Sequence, residues 1–471
     1  MTEVASREGP LLSSRPIGLG PIAVRTPDAG PADVSAWHNA SFLLLWLAQA
    51  ISQTAQNAIW YGILILVQQR SNSSTQLSLA VLTLIIPSVV FGVLAGVYVD
   101  RWDKRWVLIV TNVLRGCIAF AYALFGVAGW LPLSALYLVN FAFSTVGQFF
   151  APAETAMIPA IVARPRLMQA NSLFHLTFTA SQLIGLVVLG PLLAKVVGVN
   201  GLFVTMAAAI VLCGGLVWPL PSHRGEHDPS VPTSGGEAIR GVVRDVRVVL
   251  TFVLRGRVVA LAMVQWTIGT ILGLVVATLV PTFAVQFLDV QVEDAVFVMA
   301  PAGIGMVAGT MLLNRWGNRF DKHFLINLGL IVVAVCLAII GLLALVVDVL
   351  TSGEPPLIWL PVIGQASVIV PAVMGLALVA GFGFVAIMVP AQTFLQEQAP
   401  PELRGRVFAV QLMLSNLAGI VPLLLLGGIA DLIGVDKTFI LVGLLIAVAA
   451  LISESIAPGF RRRTPYQVSG G

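Results

Sequence analysis

Twelve apolar stretches, each close to the length that crosses a bilayer, constrain this chain more than any single residue does. They stand near 41–67, 77–99, 106–128, 131–153, 172–194 and 199–219, then, after a polar break, near 259–284, 294–314, 323–347, 363–389, 405–431 and 434–457. A hydrocarbon layer about 30 Å thick takes about 20 helical residues to cross, so every stretch is read as one membrane helix. Only 10% of the residues are charged and 58% are hydrophobic, whereas soluble domains carry roughly a quarter charged residues. The expected fold is an all-α membrane protein with twelve transmembrane helices in two six-helix bundles.

The two bundles are expected to be copies. Asp100-Arg101-Trp102-Asp103-Lys104-Arg105 recurs as Asn314-Arg315-Trp316-Gly317-Asn318-Arg319, and the same offset carries Pro301 onto Pro87. A second echo places Pro390-Ala391-Gln392-Thr393 on Pro152-Ala153-Glu154-Thr155, and the extra residues between the two echoes fall in the segment 348–362. The copies differ in charge, because Asp100 aligns with Asn314 and Glu154 with Gln392.

Lys and Arg near helix ends are retained on the cytoplasmic side, and the connections separate by this rule. Arg101, Lys104, Arg105, Arg164, Arg166, Arg315, Arg319, Lys322, Arg404, Arg406, the arginines between 224 and 257 and Arg461–Arg463 fall on one side, and Arg70, Lys195 and Lys437 on the other. Both termini and both copies of the short motif are therefore expected in the cytoplasm of a multi-pass plasma-membrane protein. The net charge of +4 follows from this topology and implies no nucleic-acid partner.

The expected units are a disordered tail (1–40), a six-helix bundle (41–219), a linker (220–258), a second bundle (259–457) and a tail (458–471). The first tail is rich in Pro, Gly and Ser and has no apolar signal segment. In the linker, Arg240, Arg244 and Arg247 recur at helical spacing, with Val243, Val246, Val249, Leu250 and Val253 elsewhere around the wheel, as in an amphipathic helix lying on the inner leaflet. Cys117, Cys213 and Cys336 lie within spans and match no metal-ligand or disulfide spacing. No cofactor is expected.

Gly92-x-x-x-Gly96-x-x-x-Asp100-Arg101-x-x-Lys104-Arg105 joins a face of small residues, which lets helices approach in lipid, to a charged loop. This segment resembles the cytoplasmic loop signature of the major facilitator superfamily, whose two six-helix halves are related by duplication. The resemblance implies that Asp100 and Arg101 latch the inner ends of the halves, with Asn314, Arg315 and Arg319 at the matching place. A narrower likeness runs from Phe150-Ala151-Pro152-Ala153-Glu154-Thr155-Ala156-Met157-Ile158-Pro159 through Leu167, Ala170, Asn171 and Leu173, and again at Arg404-Gly405-Arg406-Val407-Phe408. These segments resemble the macrolide-efflux and enterobactin-exporter branch. The chain departs from that branch at Asn112, where an acid is frequent, and at Gly185-Leu186, where a Gly-Pro pair is frequent; here the pair comes later, at Gly190-Pro191.

Arg115 lies about nine residues, or roughly 13 Å, into the third span. A charge near the bilayer centre costs about 2.5 to 3.5 kcal/mol, so Arg115 needs a partner. Glu154 and Asp100 are both open as that partner, and both a structural brace and a proton-coupling role are open for the arginine. If protons are used, Glu154 helped by Arg115 is expected to handle them. Asp431 and Glu454 are read as solvated helix ends, and His175 as a packed residue.

Gln49, Gln53, Gln56 and Trp60 share one face of the first span. Asn140, Ser144 and Gln148 follow at four-residue steps on the fourth. Trp266, Thr267 and Thr270 lie on the seventh, Phe382, Phe384, Met388 and Gln392 on the tenth, and Gln411 and Ser415 on the eleventh. The resemblance brings the first, fourth, seventh and tenth spans together at a central cavity, which these residues would line for a bulky amphipathic solute. Each could equally serve as hydrogen-bond glue between helices.

An ATP-driven pump would need a G-x-x-x-x-G-K-[ST] loop, and an intramembrane enzyme a constellation such as H-E-x-x-H or G-x-S-x-G; the sequence has neither. The expectation is a monomeric secondary transporter that exports a drug, macrolide-like compound or siderophore against proton entry. A lipid or lysophospholipid translocator and a transport-inactive sensor are the alternatives.

Overall fold

The computed structural model describes residues 39–71, 73–126, 128–130, 132–162, 166–223, 235–288, 295–352, 366–399 and 404–456. The expected tails, apart from Asn39 and Ala40, lie outside the described residues, as do 224–234 of the linker, most of the 348–362 segment and the side chains of His175, Asn318, Arg404 and Gly405. The first half holds α1 (Ala40–Ser71), α2 (Ser74–Arg101), α3 (Lys104–Ala121), α4 (Leu133–Ile161), α5 (Leu167–Leu183) and α6 (Gly190–Val217). After α7 (Gly235–Arg255) come α8 (Arg257–Phe287), α9 (Ala295–Trp316), α10 (Lys322–Ser352), α11 (Ala366–Gln398), α12 (Arg404–Ile433) and α13 (Val435–Ile456). Nine described stretches are long and apolar enough to cross a membrane. One of them, Leu176–Val217, holds two antiparallel limbs, because Gly198 at φ 73° breaks the helix.

The duplication is visible as repeated pairing. In the first half α2 packs on α4, α3 on α4, and α3 on α6; in the second α9 packs on α11, α10 on α11, and α10 on α13. Backbones come closest where glycine removes the side chain: a Cβ on Gly305 would stand 1.9 Å from the Leu378 carbonyl, and one on Gly381 would stand 2.0 Å from that of Ala302. The Gly92/Gly96 face of α2 does not make the close approach its spacing predicts. A Cβ on Gly92 would meet only Gln148 Oε1, at 3.8 Å, and one on Gly96 would stand in open space.

Caps set the helix starts. Asn39 Oδ1 accepts the Ser41 and Phe42 amides while its Nδ2 donates to the Ile161 carbonyl, so one side chain begins α1 and ties it to the end of α4. The Ser73 hydroxyl accepts the Gln76 amide at the start of α2, and Asp103 accepts the Arg105 amide at the start of α3.

The amphipathic linker helix forms; protein covers part of its apolar face, while Val243 and Leu250 on it are exposed. Val249 and Val253 are buried with Val259, Met263, Leu395 and Val407 of α8, α11 and α12, while Arg240, Arg244 and Arg247 are exposed. Asp245 pairs with Arg406 at 3.4 Å, and α7 also touches α2. It therefore bridges the halves at the end that carries Arg101, Lys104, Arg315, Lys322 and Arg406, called here the basic end.

Candidate functional site

Between the halves lies a cavity of about 320 Å³. Tyr61 and Leu64 of α1 and Val187 face it from one half, and Val276, Met306 and Phe384 from the other. Local backbone explains Val187. Between α5 and α6 the chain takes a π-helical turn at Ile184–Leu189, a form common at functional sites. Gly185 lets this turn lie on α1, since a Cβ there would stand 2.4 Å from the Thr54 carbonyl. Val187 then reaches the other half, where it lies beside Gly303. On the opposite wall Gly273 leaves room for the Phe384 ring, 3.5 Å from where its Cβ would be.

Of the residues that the sequence nominates for a cavity, Phe384 stands on this wall. Many of the others bind neighbouring helices. Asn140 Nδ2 donates to the Ala80 carbonyl and to Thr83 Oγ1, and the Ser144 hydroxyl donates to the Leu84 carbonyl, so they join α4 to α2. Gln148 Nε2 donates to the Ser144 carbonyl of its own helix. Gln49 Nε2 donates to the Phe174 carbonyl. Gln411 Nε2 donates to the Met263 carbonyl, Thr267 Oγ1 and Ser415 Oγ, which joins α12 to α8. Thr270 donates to the Trp266 carbonyl within α8. Trp266 is buried edge-on to Phe408, Met388 fills the notch left by Gly269, Gln53 is buried, and Trp60 and Gln392 are half-buried. The apolar lining was not legible, because a lining Val or Met has the same composition signal as one facing lipid. The paired glycines at Gly303 and Gly381 were the available clue.

A second site lies inside the first half. Arg115 is 1% exposed. Its Nη1 donates to Gln56 Oε1 at 2.7 Å, and its Nη2 to Ser52 Oγ at 2.8 Å and Asn112 Oδ1 at 2.7 Å. The guanidinium also covers the Phe150 ring, 4.7 Å from its centroid, an attraction worth about 2 kcal/mol or more where water is excluded. Gly147 admits the stem, as a Cβ there would lie 3.9 Å from Arg115 Cδ. Glu154 is buried one helical turn beyond Phe150, and its Oε1 accepts no hydrogen bond. The sequence leaves the arginine's partner open between Glu154 and Asp100; in the structure its Nη1 and Nη2 donate to neutral oxygens, while Nε makes no hydrogen bond. Asn112, at the position where an acid is frequent, serves as acceptor to both Arg115 and Ser52.

The charged loop at the basic end braces its own half. Asp103 accepts the Ser222 hydroxyl and the His223 amide, the Lys104 amide donates to the His223 carbonyl, and Arg105 donates to the Leu220 carbonyl while lying over the Trp218 ring. Burial by itself raises the Asp103 carboxyl, but the hydrogen bonds from Ser222 and the Arg105, His223 and Trp106 amides outweigh it and hold the group below the usual carboxylate range. Lys104 Nζ donates to the Asp100 carbonyl. Asp100, Arg101, Asn314, Arg315 and Arg319 have exposed side chains. Among the described residues no three His, Cys, Asp or Glu side chains gather as a metal site would require.

Two helical halves related by repeated pairing thus enclose a cavity between them. The chain matches the Major Facilitator Superfamily over residues 45–422 and belongs to that family. It is 24% identical over 425 residues to macrolide efflux protein A of Streptococcus pyogenes, covering 88% of this chain and 95% of that one. It is 26% identical over 424 residues to the multidrug efflux pump Tap of Mycolicibacterium fortuitum, covering 85% and 92%. In fold it is similar to a bacterial homologue of the human lysosomal transporter Spinster, with a TM-score of 0.67 at 12% identity over 92% of this chain and 100% of that one. The protein is thus a multi-pass membrane transporter and not an enzyme.

Proposed function

We propose that the protein exports a bulky lipophilic solute of drug or macrolide type against proton entry, by rocking two halves about the cavity between them. The observation that carries this reading is the cavity itself, whose walls are apolar, with Leu, Ile, Val and the Tyr61 ring from the first half and mainly Val, Leu, Ala, Gly, Met and Phe from the second. Such a wall recovers transfer free energy of about 25 cal/mol for every Å² of apolar solute it shields. It offers little to the many charged oxygens of a siderophore, and the two relatives compared above are named for macrolide and multidrug efflux. Efflux is the direction taken from them.

Glu154 supports the coupling part of the reading. A buried carboxylate with an oxygen that accepts no hydrogen bond gains by taking up a proton, and the fixed charge of Arg115 stands near enough to respond. Gly96 supports the rocking part: with no atom within 4 Å of where its Cβ would be, α2 can be approached closely there when the basic end closes. In this reading twelve helices cross the plasma membrane, the basic end and both termini are cytoplasmic, and one chain suffices.

The test is accumulation of fluorescent lipophilic drugs in cells with and without the protein, with and without an uncoupler. Lower accumulation that the uncoupler abolishes is expected. Export that persists undiminished after uncoupling removes the proton, and flux of labelled lysophospholipid with none of drug replaces the cargo.

A further inference from the structure

Among the described residues, hydrogen bonds join the halves at the end opposite to the basic one. At the end of α12, the Asp431 carboxylate reaches across to the first turn of α2. Its Oδ2 accepts the Ser73 hydroxyl at 2.6 Å and the Thr75 amide at 3.0 Å, and its Oδ1 accepts the Ser74 amide at 2.7 Å. The first amides of a helix have no partner within it and form the positive end of its dipole. An anionic cap supplied by the other half therefore joins the halves without a basic residue. The sequence reads Asp431 as a solvated helix end; the structure gives it three donors from the opposite bundle.

A second contact stands beside the cap. Thr282 of α8 donates to Gln68 Oε1 of α1 and accepts the Ser74 hydroxyl. Below it α12 and α2 touch almost backbone to backbone, since a Cβ on Gly427 would stand 2.3 Å from Ser78 Oγ and 3.0 Å from the Ser74 carbonyl. Beyond these contacts, toward the middle of the molecule, lies the cavity wall that includes Ala277.

We infer that Asp431 is the latch of the outer gate: by capping α2 across the interface it holds the cavity closed on that side, and its release lets the cavity open there. The inference rests on the transporter reading above only for the word outer and for the rocking of the halves. Asp431 is a positioning residue, since it does not reach the cavity. The surrounding charged groups are engaged or placed elsewhere: Arg70 of α1 donates to the Gly126 carbonyl, Asp436 is buried within α13, and Lys437 is exposed at its start.

The experiment is thiol labelling in intact cells, in a background with Cys117, Cys213 and Cys336 replaced by alanine. Ala277→Cys reports access from outside to a membrane-impermeant reagent, and Gly96→Cys, labelled in inverted vesicles, reports access at the basic end. Asp431→Ala, which removes three hydrogen bonds to the carboxylate, is expected to raise labelling at Ala277→Cys by about tenfold or more, the shift that loss of even one charge-assisted hydrogen bond gives, and to lower it at Gly96→Cys. Asp431→Asn, which keeps an acceptor without the charge, should fall between. Gly427→Ala wedges the same contact, and Ser74→Pro removes one amide at a position where proline fits, because Ser73 before it is extended at φ −124°, ψ 128°. Both should move the two reporters in the same opposed directions, and they carry the test if Asp431→Ala fails to reach the membrane. A merely loosened fold would raise labelling at both sites. That result, or equal labelling with and without the carboxylate, overturns the latch. Labelling needs neither cargo nor proton gradient, so the latch can fail in a working drug exporter or hold in a carrier of something else.

Discussion

The two halves share one packing plan and differ in what they bury. In the first, Arg115 sits on Phe150 amid Gln56, Ser52 and Asn112, with Glu154 a turn away. In the second, Gln411 with Thr267 and Ser415, and Gln265 with Ser453, join helices through neutral groups, while charged ones act at the helix ends, where Glu454 accepts from Asn327 and Lys322 pairs with Glu397. Its acids stand at helix ends, Asp436 in the first turn of α13 and Glu454 in the last. Duplication thus preserved helix pairing, which depends on small residues at crossing points, and left electrostatics free to diverge. An interior charge is costly in lipid, and the first half carries one at mid-helix, at Arg115, while the second carries its acids at helix ends.

The widest break in this comparison comes from Glu154→Gln. Proton-driven transport in proteoliposomes should be abolished while drug binding and thermal stability persist, and the compensating move Gln392→Glu at the aligned place should not restore it. Restored transport would show that the halves are electrically interchangeable. Next in size is Arg115→Met, which takes the donor from Gln56 Oε1 and Ser52 Oγ and one of two donors from Asn112 Oδ1 and should cost about 3 kcal/mol or more, read as a lowered unfolding temperature in detergent. Gln411→Leu probes the matching network of the other half. Only neutral bonds are lost there, so the cost should be about 1 kcal/mol; a loss equal to that of Arg115→Met would erase the distinction.

The smallest effect is a pH response at the basic end. Asp103 is held below the usual carboxylate range by its hydrogen bonds to Ser222 and the Arg105 and His223 amides. A carboxyl lowered on folding contributes stability above its unfolded range and loses it as pH falls through the lowered value. The clamp on residues 220–223 should therefore loosen only in strong acid. Asp103→Asn should remove that dependence, as measured by proteolysis of the linker, and leave Arg115 and Glu154 unaffected.

How much was legible can be followed through particular residues. The apolar runs marked helices well, but the helices outrun them: α4 extends to Ile161 where the apolar run ends near 153, because Glu154 is buried against other helices and the exposed Thr155 bonds back to the Ala151 carbonyl. Gly198 fell where the run was read as broken, and its positive φ supplies the reason. Arg115 announced itself as a charge within a span, yet its partners could not be chosen, since Gln56, Ser52 and Asn112 come from two helices whose rotation the sequence does not reveal. Asn140, Ser144 and Gln411 face neighbouring helices, and no periodicity separates that face from one turned to a cavity. Asp431 is exposed at a helix end, as the sequence reads it, but its partners could not be chosen for a related reason: its three donors lie more than 350 positions earlier in the chain.

By itself the sequence determined that this chain is a duplicated helical membrane protein, because the length of an apolar run, the placement of basic residues and an internal repeat are properties of one dimension. The tertiary structure decided which polar groups meet, where two bundles touch and where they leave a cavity. Those outcomes depend on the rotation and tilt of each helix, which side-chain packing across the interface fixes and a linear order of residues does not.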